Sequence, residues 1–229
     1  MAGTVLTGMA RIVGIPFGMM DSNTWLIICS EQTVLIDPAA PVKRLPENLP
    51  SIKLILATHG HLDHISRADV WRDATGAPLC IHAADAGCLT DADQNLSSLF
   101  RQPIVCRPAE QLLEDGQSIQ IDSDHRIEVV HTPGHTAGSC CFLLWEKEHP
   151  AGLFSGDTLF AGSIGRIDVG GDEMMMRRSL QKLVSLSRDL HLQKNRENDI
   201  PVYPGHGRST RLAEELDENP FLREFFTED

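Results

Sequence analysis

The stretch T-H-G-H-L-D-H, residues 58–64, is the densest grouping of imidazole and carboxylate side chains in this chain of 229 residues. It follows the apolar run 52–57 and precedes residues 65–71, whose composition favours a helix. This order indicates a strand, a loop and a helix. We therefore predict that these side chains lie on a loop at the end of a strand.

The spacing inside the stretch suits metal ions. Gly60 separates His59 from His61, so both imidazoles can converge on one cation if the loop turns sharply. Asp63 and His64 can then face a second cation. Imidazole and carboxylate donors suit zinc, and they also tolerate iron or manganese.

Three more candidate ligands follow later apolar runs in turn-rich sequence. They are His135 in H-T-P-G-H (131–135), Asp157 in S-G-D-T (155–158) and His206 in Y-P-G-H-G (203–207). His135 is the candidate third ligand of the first metal, and His206 would complete the second. The two carboxylate oxygens of Asp157 can bridge a pair of metals.

A two-metal site predicts hydrolysis. A bound divalent cation lowers the pKa of water from about 15.7 to about 7, so a hydroxide nucleophile forms at neutral pH without a serine or cysteine. Asp63 lies where it can orient the attacking water or move a proton, besides binding the second metal.

The motif H-x-H-x-D-H with separate downstream His, Asp and His residues resembles the metallo-β-lactamase superfamily. The segments most similar to its short glyoxalase II-like hydrolases are H-T-P-G-H-T (131–136), S-G-D-T-L-F (155–160), G-R (165–166) and P-G-H-G (204–207). The resemblance implies a four-layer αββα sandwich, with two sheets face to face, helices outside and the metals at one rim.

The resemblance also implies residue roles. One metal is held by His59, His61 and His135, the other by Asp63, His64 and His206, and Asp157 bridges; Asp63, His59 and Asp157 are the implied catalytic residues. Arg166 is implied as an anchor for a substrate carboxylate. Asp37 is implied as a support for the metal loop, because metal-bound imidazoles usually donate their second N–H to a fixed acceptor.

The implied reaction is thioester hydrolysis by a metal-bridging hydroxide, with S-lactoylglutathione or a related hydroxyacyl thioester as the anionic substrate. Full-length glyoxalase II enzymes add a helical domain that grips glutathione. This chain ends about 23 residues after His206, so we expect one domain over residues 1–229 without that addition. Recognition of glutathione stays open.

Other functions fit part of the same pattern. An iron-dependent persulfide dioxygenase of this superfamily would use the triad His59, His135 and Asp157. A lactonase is a further alternative, and a metal-binding scaffold without turnover is another. β-Lactam hydrolysis is less expected, because residues 1–20 contain no export signal.

The composition limits the classes of partner that the protein can bind. The formal net charge of −12 disfavours nucleic acid, although a small anion could bind near the metals and Arg166. Arg208 and Arg211 could assist, or could equally lie on a solvated face. No segment approaches the roughly 20 apolar residues that span a membrane, and we expect a cytoplasmic protein. The oligomeric state is left open.

Short apolar runs punctuated by Gly and Pro predict an α/β protein. The predicted strands are 25–29, 33–36, 53–57, 79–81, 127–130, 140–145, 153–154 and 202–203, and the predicted helices are 174–187 and 212–215. We interpret residues 174–176, three methionines, as core filler, and residues 146–150 as a hairpin turn.

The six cysteines are predicted to be small buried hydrophobes without disulfides. Cys140 and Cys141 lie on a strand, where neighbouring side chains point to opposite faces. The remaining histidines are not predicted ligands. We expect a structural role for His82, a supporting or packing role for His131, and surface positions for His125, His149 and His191.

Overall fold

A computed structural model of the chain describes residues 10–18, 20–100, 103–190 and 199–223. In these ranges twelve strands form two six-stranded sheets. The first sheet contains, in spatial order, β1 (Arg11–Phe17), β2 (Ser22–Ile28), β3 (Thr33–Ile36), β4 (Ile52–Leu56), β5 (Leu79–His82) and β6 (Gln111–Leu113). The first three strands pair antiparallel and the last four pair parallel.

The second sheet has the reverse spatial order, from β12 to β7. Its strands are β7 (Ser118–Gln120), β8 (His125–His131), β9 (Cys140–Glu146), β10 (His149–Gly156), β11 (Pro201–Pro204) and β12 (Thr210–Arg211). Only β10 and β11 pair parallel in this sheet. The predicted turn at residues 146–150 joins β9 to β10 as a hairpin.

Five α-helices are described outside the sheets. They are α1 (Leu62–Ile65), α2 (Ala68–Thr75), α3 (Glu173–Asp189), α4 (Leu212–Glu218) and α5 (Pro220–Arg223). The side chain of Asp172 caps α3 by accepting a hydrogen bond from the Met175 amide at 2.9 Å, which satisfies one of the free N–H groups of the first turn. No described helix is long and apolar enough to cross a membrane.

Alternation along each buried strand divides the core into three layers of side chains. In β3, Val34 and Ile36 face the second sheet, whereas Leu35 faces α2. In β9, Phe142 faces the first sheet and Leu143 faces α3. Both faces of these strands are buried, which explains why they are continuous apolar runs in the sequence. The result is the αββα sandwich that the resemblance implied.

The cysteine prediction is confirmed. All six thiols are buried and free, with Cys140 in the core between the sheets and Cys141 in the core under α3. Burial raises the pKa of the Cys88 thiol to about 12, so it is not a nucleophile at neutral pH.

The interpretation of the three methionines as core filler was wrong for two of them. Met176 is buried on the core side of α3, but Met174 and Met175 are exposed. The three lie in the first turn of the helix, and a helix turns only one side toward its core. Consecutive apolar residues therefore cannot all be buried there.

We expect Trp71→Ala to lower the free energy of unfolding by about 3–5 kcal/mol, because it empties a large buried volume. Trp71 is fully buried in α2, and its Nε1 donates to the Ala40 carbonyl at 2.8 Å. Urea denaturation measures the effect. The exposed neighbour Val70 provides the control, since Val70→Ala should change stability by less than about 0.5 kcal/mol. Equal stability of the two variants would contradict this packing.

Candidate metal centre

The H-x-H-x-D-H stretch lies where β4 ends. His59 and His61 are on the loop, as predicted, and His61 precedes the first turn of α1. Asp63 and His64 are inside α1, so the prediction that the whole group lies on a loop was wrong for these two. The short helix begins early because the His64 and Ile65 amides donate to the His61 carbonyl.

The three other candidate ligands reach the same rim of the sandwich. His135 follows β8, Asp157 follows β10 directly, and His206 follows β11. The donor atoms of all seven predicted ligands fall into three sets, and within each set the atoms lie within 4.8 Å of one another. The sets are His59, His61 and His135; Asp63, His64 and His206; and His59, His64 and Asp157.

The first set consists of imidazoles packed edge to face. The ring centroids of His61 and His135 are 4.5 Å apart, and those of His59 and His61 are 4.9 Å apart. In the second set, His206 Nε2 lies 3.2 Å from Asp63 Oδ2 and 3.2 Å from His64 Nε2. The carboxylate of Asp157 lies between the sets.

Distances from Asp157 show this intermediate position. Its Oδ1 is 3.4 Å from His64 Nε2, and its Oδ2 is 3.4 Å from both His135 Nε2 and His206 Nε2. One carboxylate thus contacts both groups of donors. This is the placement that a bridging ligand requires.

Three buried metal-binding atoms at the centre have no hydrogen-bond partner among the described residues: His59 Nε2, His135 Nε2 and Asp157 Oδ1. Burying a polar atom without a partner is costly. Each of the three residues belongs to a group of donor atoms within 4.8 Å of one another, so metal ions bound by these groups would satisfy them. The residues present therefore fit a metal centre.

The second nitrogen of each of four imidazoles is held by the protein. His64 Nδ1 pairs with Asp37 Oδ2 at 2.8 Å, while His135 Nδ1 donates to the Arg166 carbonyl and His206 Nδ1 to the Met20 carbonyl, each at 2.8 Å. His59 Nδ1 contacts Thr58 Oγ1 at 3.1 Å. These contacts turn each Nε2 toward the centre, as metal-binding histidines require.

Asp37 supports the loop as the resemblance implied. Its carboxylate accepts hydrogen bonds from the Thr58 amide at 2.7 Å and the Thr58 hydroxyl at 2.8 Å, in addition to His64. Asp37 adopts a left-handed φ of 56°, which is uncommon for a residue with a Cβ. The Thr24 hydroxyl stabilises that geometry by donating to the Asp37 carbonyl at 2.6 Å.

Electrostatics differ between the two sides of the centre. Burial, reinforced by the neighbouring imidazoles, lowers the pKa of His59 well below its usual range and that of His61 to about 4. Burial also opposes protonation of His64, but the surrounding Asp carboxylates outweigh it and raise the pKa of His64 to about 9. One side thus offers neutral imidazoles, and the other has a negative potential that attracts cations.

Asp85 was missed by the sequence analysis. This carboxylate is buried and accepts hydrogen bonds from the Gly60 amide at 2.9 Å, the Gly138 amide at 2.7 Å and the Thr136 hydroxyl at 2.7 Å. It therefore ties the loop of His59 to the loop of His135. No local pattern marks Asp85, because its partners are 25 to 53 positions away in the chain.

Two more residues whose polar contacts the sequence analysis missed hold the loop of His206. Asn23 is buried, and its side-chain amide donates to the carbonyls of Pro204 and Gly207 at 3.0 Å. Trp25 Nε1 also donates to the Pro204 carbonyl, at 2.9 Å. Both residues lie in β2, so this strand positions the loop that carries His206.

Gly205 allows the close approach of the donors. A Cβ at this position would overlap Asp157 Oδ1 and would lie 2.8 Å from His64 Cε1. Any larger residue would push the Asp157 carboxylate away from the imidazoles.

Arg166 lines the same cavity as the donors. Its guanidinium is exposed and forms two hydrogen bonds of 2.8 Å with the Asp168 carboxylate. Arg208 and Arg211 are exposed and pair with Glu214 and Asp199. They lie on a solvated face, which was one of the two alternatives that the sequence analysis gave for them.

The other histidines differ in outcome. His131 stacks on His82, with ring centroids 3.9 Å apart, in agreement with the packing and structural roles expected for them. His149 is exposed, and His191 lies outside the described residues. The surface prediction for His125 was wrong, because this side chain is buried and pairs with Asp122 at 2.8 Å. Cys29 lies close enough to complete a Cys, Asp and His group there.

Comparison with known proteins agrees with this geometry. The family described as the metallo-beta-lactamase superfamily matches residues 18–206, and the chain belongs to that superfamily. It is 31% identical to the probable metallo-hydrolase YqgX of Bacillus subtilis over 217 residues, which cover 92% of this chain and 96% of that protein. It is 30% identical to the hydroxyacylglutathione hydrolase GloC of Haemophilus influenzae, with 91% and 96% covered.

Solved structures share the architecture. BLEG-1, described as a B3 metallo-beta-lactamase, superposes with a TM-score of 0.78 at 34% identity, covering 93% of this chain and 99% of that one. The di-iron-bound form of TTHA1623 gives a TM-score of 0.70 at 31% identity, with 92% and 100% covered. The family and the clustered His and Asp donors together define a metal-dependent hydrolase fold.

We expect Asp85→Asn to lower metal affinity about 10- to 100-fold, as substitutions of ligand-supporting residues do. The asparagine amide has only one acceptor oxygen. Its NH₂ group would face a hydrogen-bond donor that the Asp85 carboxylate accepts from in the wild type. Competition with a chelator measures the affinity. Asp93→Asn, at an exposed position, is the matched control and should bind metal as the wild type does. Wild-type affinity in Asp85→Asn would show that the loops hold their positions without it.

Proposed function

We propose that the protein is a binuclear metal-dependent hydrolase that cleaves a thioester. The observation that carries the proposal is the placement of Asp157 between two groups of three donors. In this proposal His59, His61 and His135 hold one metal and Asp63, His64 and His206 hold the other, with Asp157 shared between them. Zinc is the preferred metal, and iron or manganese suit the same donors.

When bound, the metal pair supplies a water of lowered pKa and a Lewis acid for the substrate carbonyl. Hydrolysis breaks the bond between acyl carbon and sulfur, forms a bond from that carbon to the water oxygen, and releases a carboxylic acid and a thiol. The protein's own contribution is orientation. Asp63 lines the cavity, and its carboxylate orients the attacking water or receives its proton.

The name of the Haemophilus relative supports a thioester of a hydroxy acid, such as S-lactoylglutathione, as the substrate. Arg166 supports an anionic group on it. Its carbonyl is fixed by His135 Nδ1, so its side chain starts beside a ligand. Its ion pair with Asp168 is exposed, so solvent screens the attraction between the two side chains. A substrate carboxylate can therefore replace Asp168.

An iron-dependent persulfide dioxygenase is the second candidate, and one observation favours it. The three unpartnered donor atoms belong to His59, His135 and Asp157, which is the triad expected for that enzyme. The complete second group around Asp63, His64 and His206 favours the binuclear hydrolase instead. Iron content with oxygen uptake on glutathione persulfide, and no thioester turnover, would establish the dioxygenase.

We expect Asp157→Ala to lose at least one metal ion per chain and most of the turnover, because the carboxylate between the two donor groups is removed. Elemental analysis of the purified variant and its rate on a thioester measure both effects. Glu148→Ala, in the exposed turn before β10, should keep both properties. Wild-type metal content and rate in Asp157→Ala would contradict the bridging role.

We expect Arg166→Ala mainly to raise KM for anionic thioesters, by up to about tenfold, with kcat less affected, since an anchor away from the reacting carbon contributes uniform binding. Steady-state kinetics on S-lactoylglutathione and on an uncharged thioester make the comparison. Arg208→Ala is the control for a lost surface charge. Equal changes on the charged and uncharged substrates would remove Arg166 from the binding site.

A further inference from the structure

A cavity of about 460 Å³ opens beside the candidate ligands. Its wall is mainly apolar, and the apolar lining residues are Met20, Leu62, Leu96, Leu99, Phe100, Phe160, Ile164 and Val169. Five candidate metal ligands also line it and are called its floor here: His61, Asp63, His135, Asp157 and His206. A substrate whose scissile bond reaches that floor must lay the rest of its structure against the apolar wall.

Beyond the candidate ligands, only two polar residues line the described cavity, Ser163 and Arg166. The Arg166 guanidinium already pairs with both oxygens of Asp168. The described lining thus provides one positive side chain, which has an acidic partner, in a protein of formal net charge −12. Arg166 can pair with one substrate carboxylate, as proposed above, but the described lining is poorly suited to an arm that carries several charges.

Three of the apolar side chains are unusually open to solvent. Leu99 is 74% exposed, Met20 45% and Phe100 43%, and all three line this cavity. A group of exposed apolar residues on the wall of a candidate active site is typical of a binding surface. Because these side chains lie beside the candidate ligands, the group that covers them should be part of the substrate.

The loop that carries this wall is strained and specifically held. Leu96 has a left-handed φ of 66°, a conformation that is sterically unfavourable for a residue with a Cβ. The fully buried Asn95 holds it, since its side chain donates to the carbonyls of Cys88 and Ile104 and accepts from the Ser97 amide. Strain maintained in this way concentrates at functional sites.

Asn95 also connects the wall to the metal centre. Its carbonyl accepts the Leu62 amide at 3.0 Å, and Leu62 begins the helix that carries Asp63 and His64. The position of the apolar wall relative to the candidate ligands is therefore fixed by the fold.

We infer that this wall is a subsite for an extended apolar arm of the thioester substrate, attached next to the scissile bond. The inference rests on the proposed hydrolase function and names the class of its substrate. The arm can belong to the acyl group or to the leaving thiol, and the same apolar contacts would bind either. Each methylene buried against the wall should raise kcat/KM about fourfold until the cavity is filled.

The test uses the metal-loaded full chain and two series of uncharged thioesters. One series extends the acyl group from acetyl to octanoyl on N-acetylcysteamine, and the other extends an alkyl thiol that carries an acetyl group. A steep rise of kcat/KM with length in one series is expected, and it identifies the arm. Flat profiles in both series would overturn the subsite. No hydrolysis of any thioester by protein with two bound metals would instead overturn the proposed function.

Variants tie the chain-length effect to the wall. Leu99→Gln should lower the ratio of kcat/KM between the longest and shortest substrates at least fivefold. Val105→Gln changes another exposed apolar residue, 63% exposed and not among the lining residues, and should leave the ratio unchanged. An unchanged ratio in Leu99→Gln, or an equal loss in both variants, would remove Leu99 from the subsite.

The variant Leu96→Gly distinguishes a loss of substrate binding from a loss of protein stability. Glycine adopts the left-handed conformation without steric cost, so Tm should stay close to the wild-type value while the apolar surface is lost. The chain-length ratio should therefore fall in a folded protein. A Leu96→Gly variant with wild-type Tm and wild-type ratio would contradict the role of Leu96.

Discussion

The buried carboxylate of Asp37 is the contact on which the rest of the candidate centre depends. It lies at the end of β3 and joins the loop after β4 to α1 through Thr58 and His64. A buried carboxylate needs several donors to be stable, and these donors also fix the direction of the His64 ring. Asp85 performs the equivalent task between the loops of His59 and His135. Carboxylates that are not candidate ligands therefore hold the loops at this rim. The Nε2 atoms of the candidate ligands can then face one another.

Much of the fold could be predicted because the central strands are buried on both faces and form continuous apolar runs. The four strands absent from the prediction lack that signal. In β1 most side chains are exposed or half-buried, and β6, β7 and β12 have only two or three residues. Their positions depend on neighbouring strands and not on their own sequence. The three methionines show the converse error, since an apolar run at a helix start does not reveal which side the helix buries.

The candidate ligands could be located because each of the four motifs that carry them follows a strand, where side chains reach the rim; Asp63 and His64 lie in the short helix that follows the first of these loops. The residues that orient them could not be located. Asn23 acts on a loop more than 180 positions later, and Asp85 acts on two loops at once. Asn95 holds a strained residue through carbonyls that have no sequence signature. Such roles depend on which loops the two sheets bring together, and that is a property of the complete fold.

The centre and its wall place opposite demands on the same short segment. The floor must collect imidazoles and carboxylates in a buried position, which is tolerable only if a cation and a set of fixed hydrogen bonds satisfy them. The wall must present apolar side chains to solvent, which is unfavourable unless a ligand covers them. Leu62 and Asp63 are adjacent in α1 and line both parts of the cavity, so the turn that aims the carboxylate also aims the apolar side chain. Three contacts fix this turn: His64 Nδ1 pairs with Asp37, the Asp63 carbonyl accepts from the Ser22 hydroxyl, and the Leu62 amide donates to the Asn95 carbonyl. In the function proposed above, a change in this turn would therefore alter metal binding and substrate binding together.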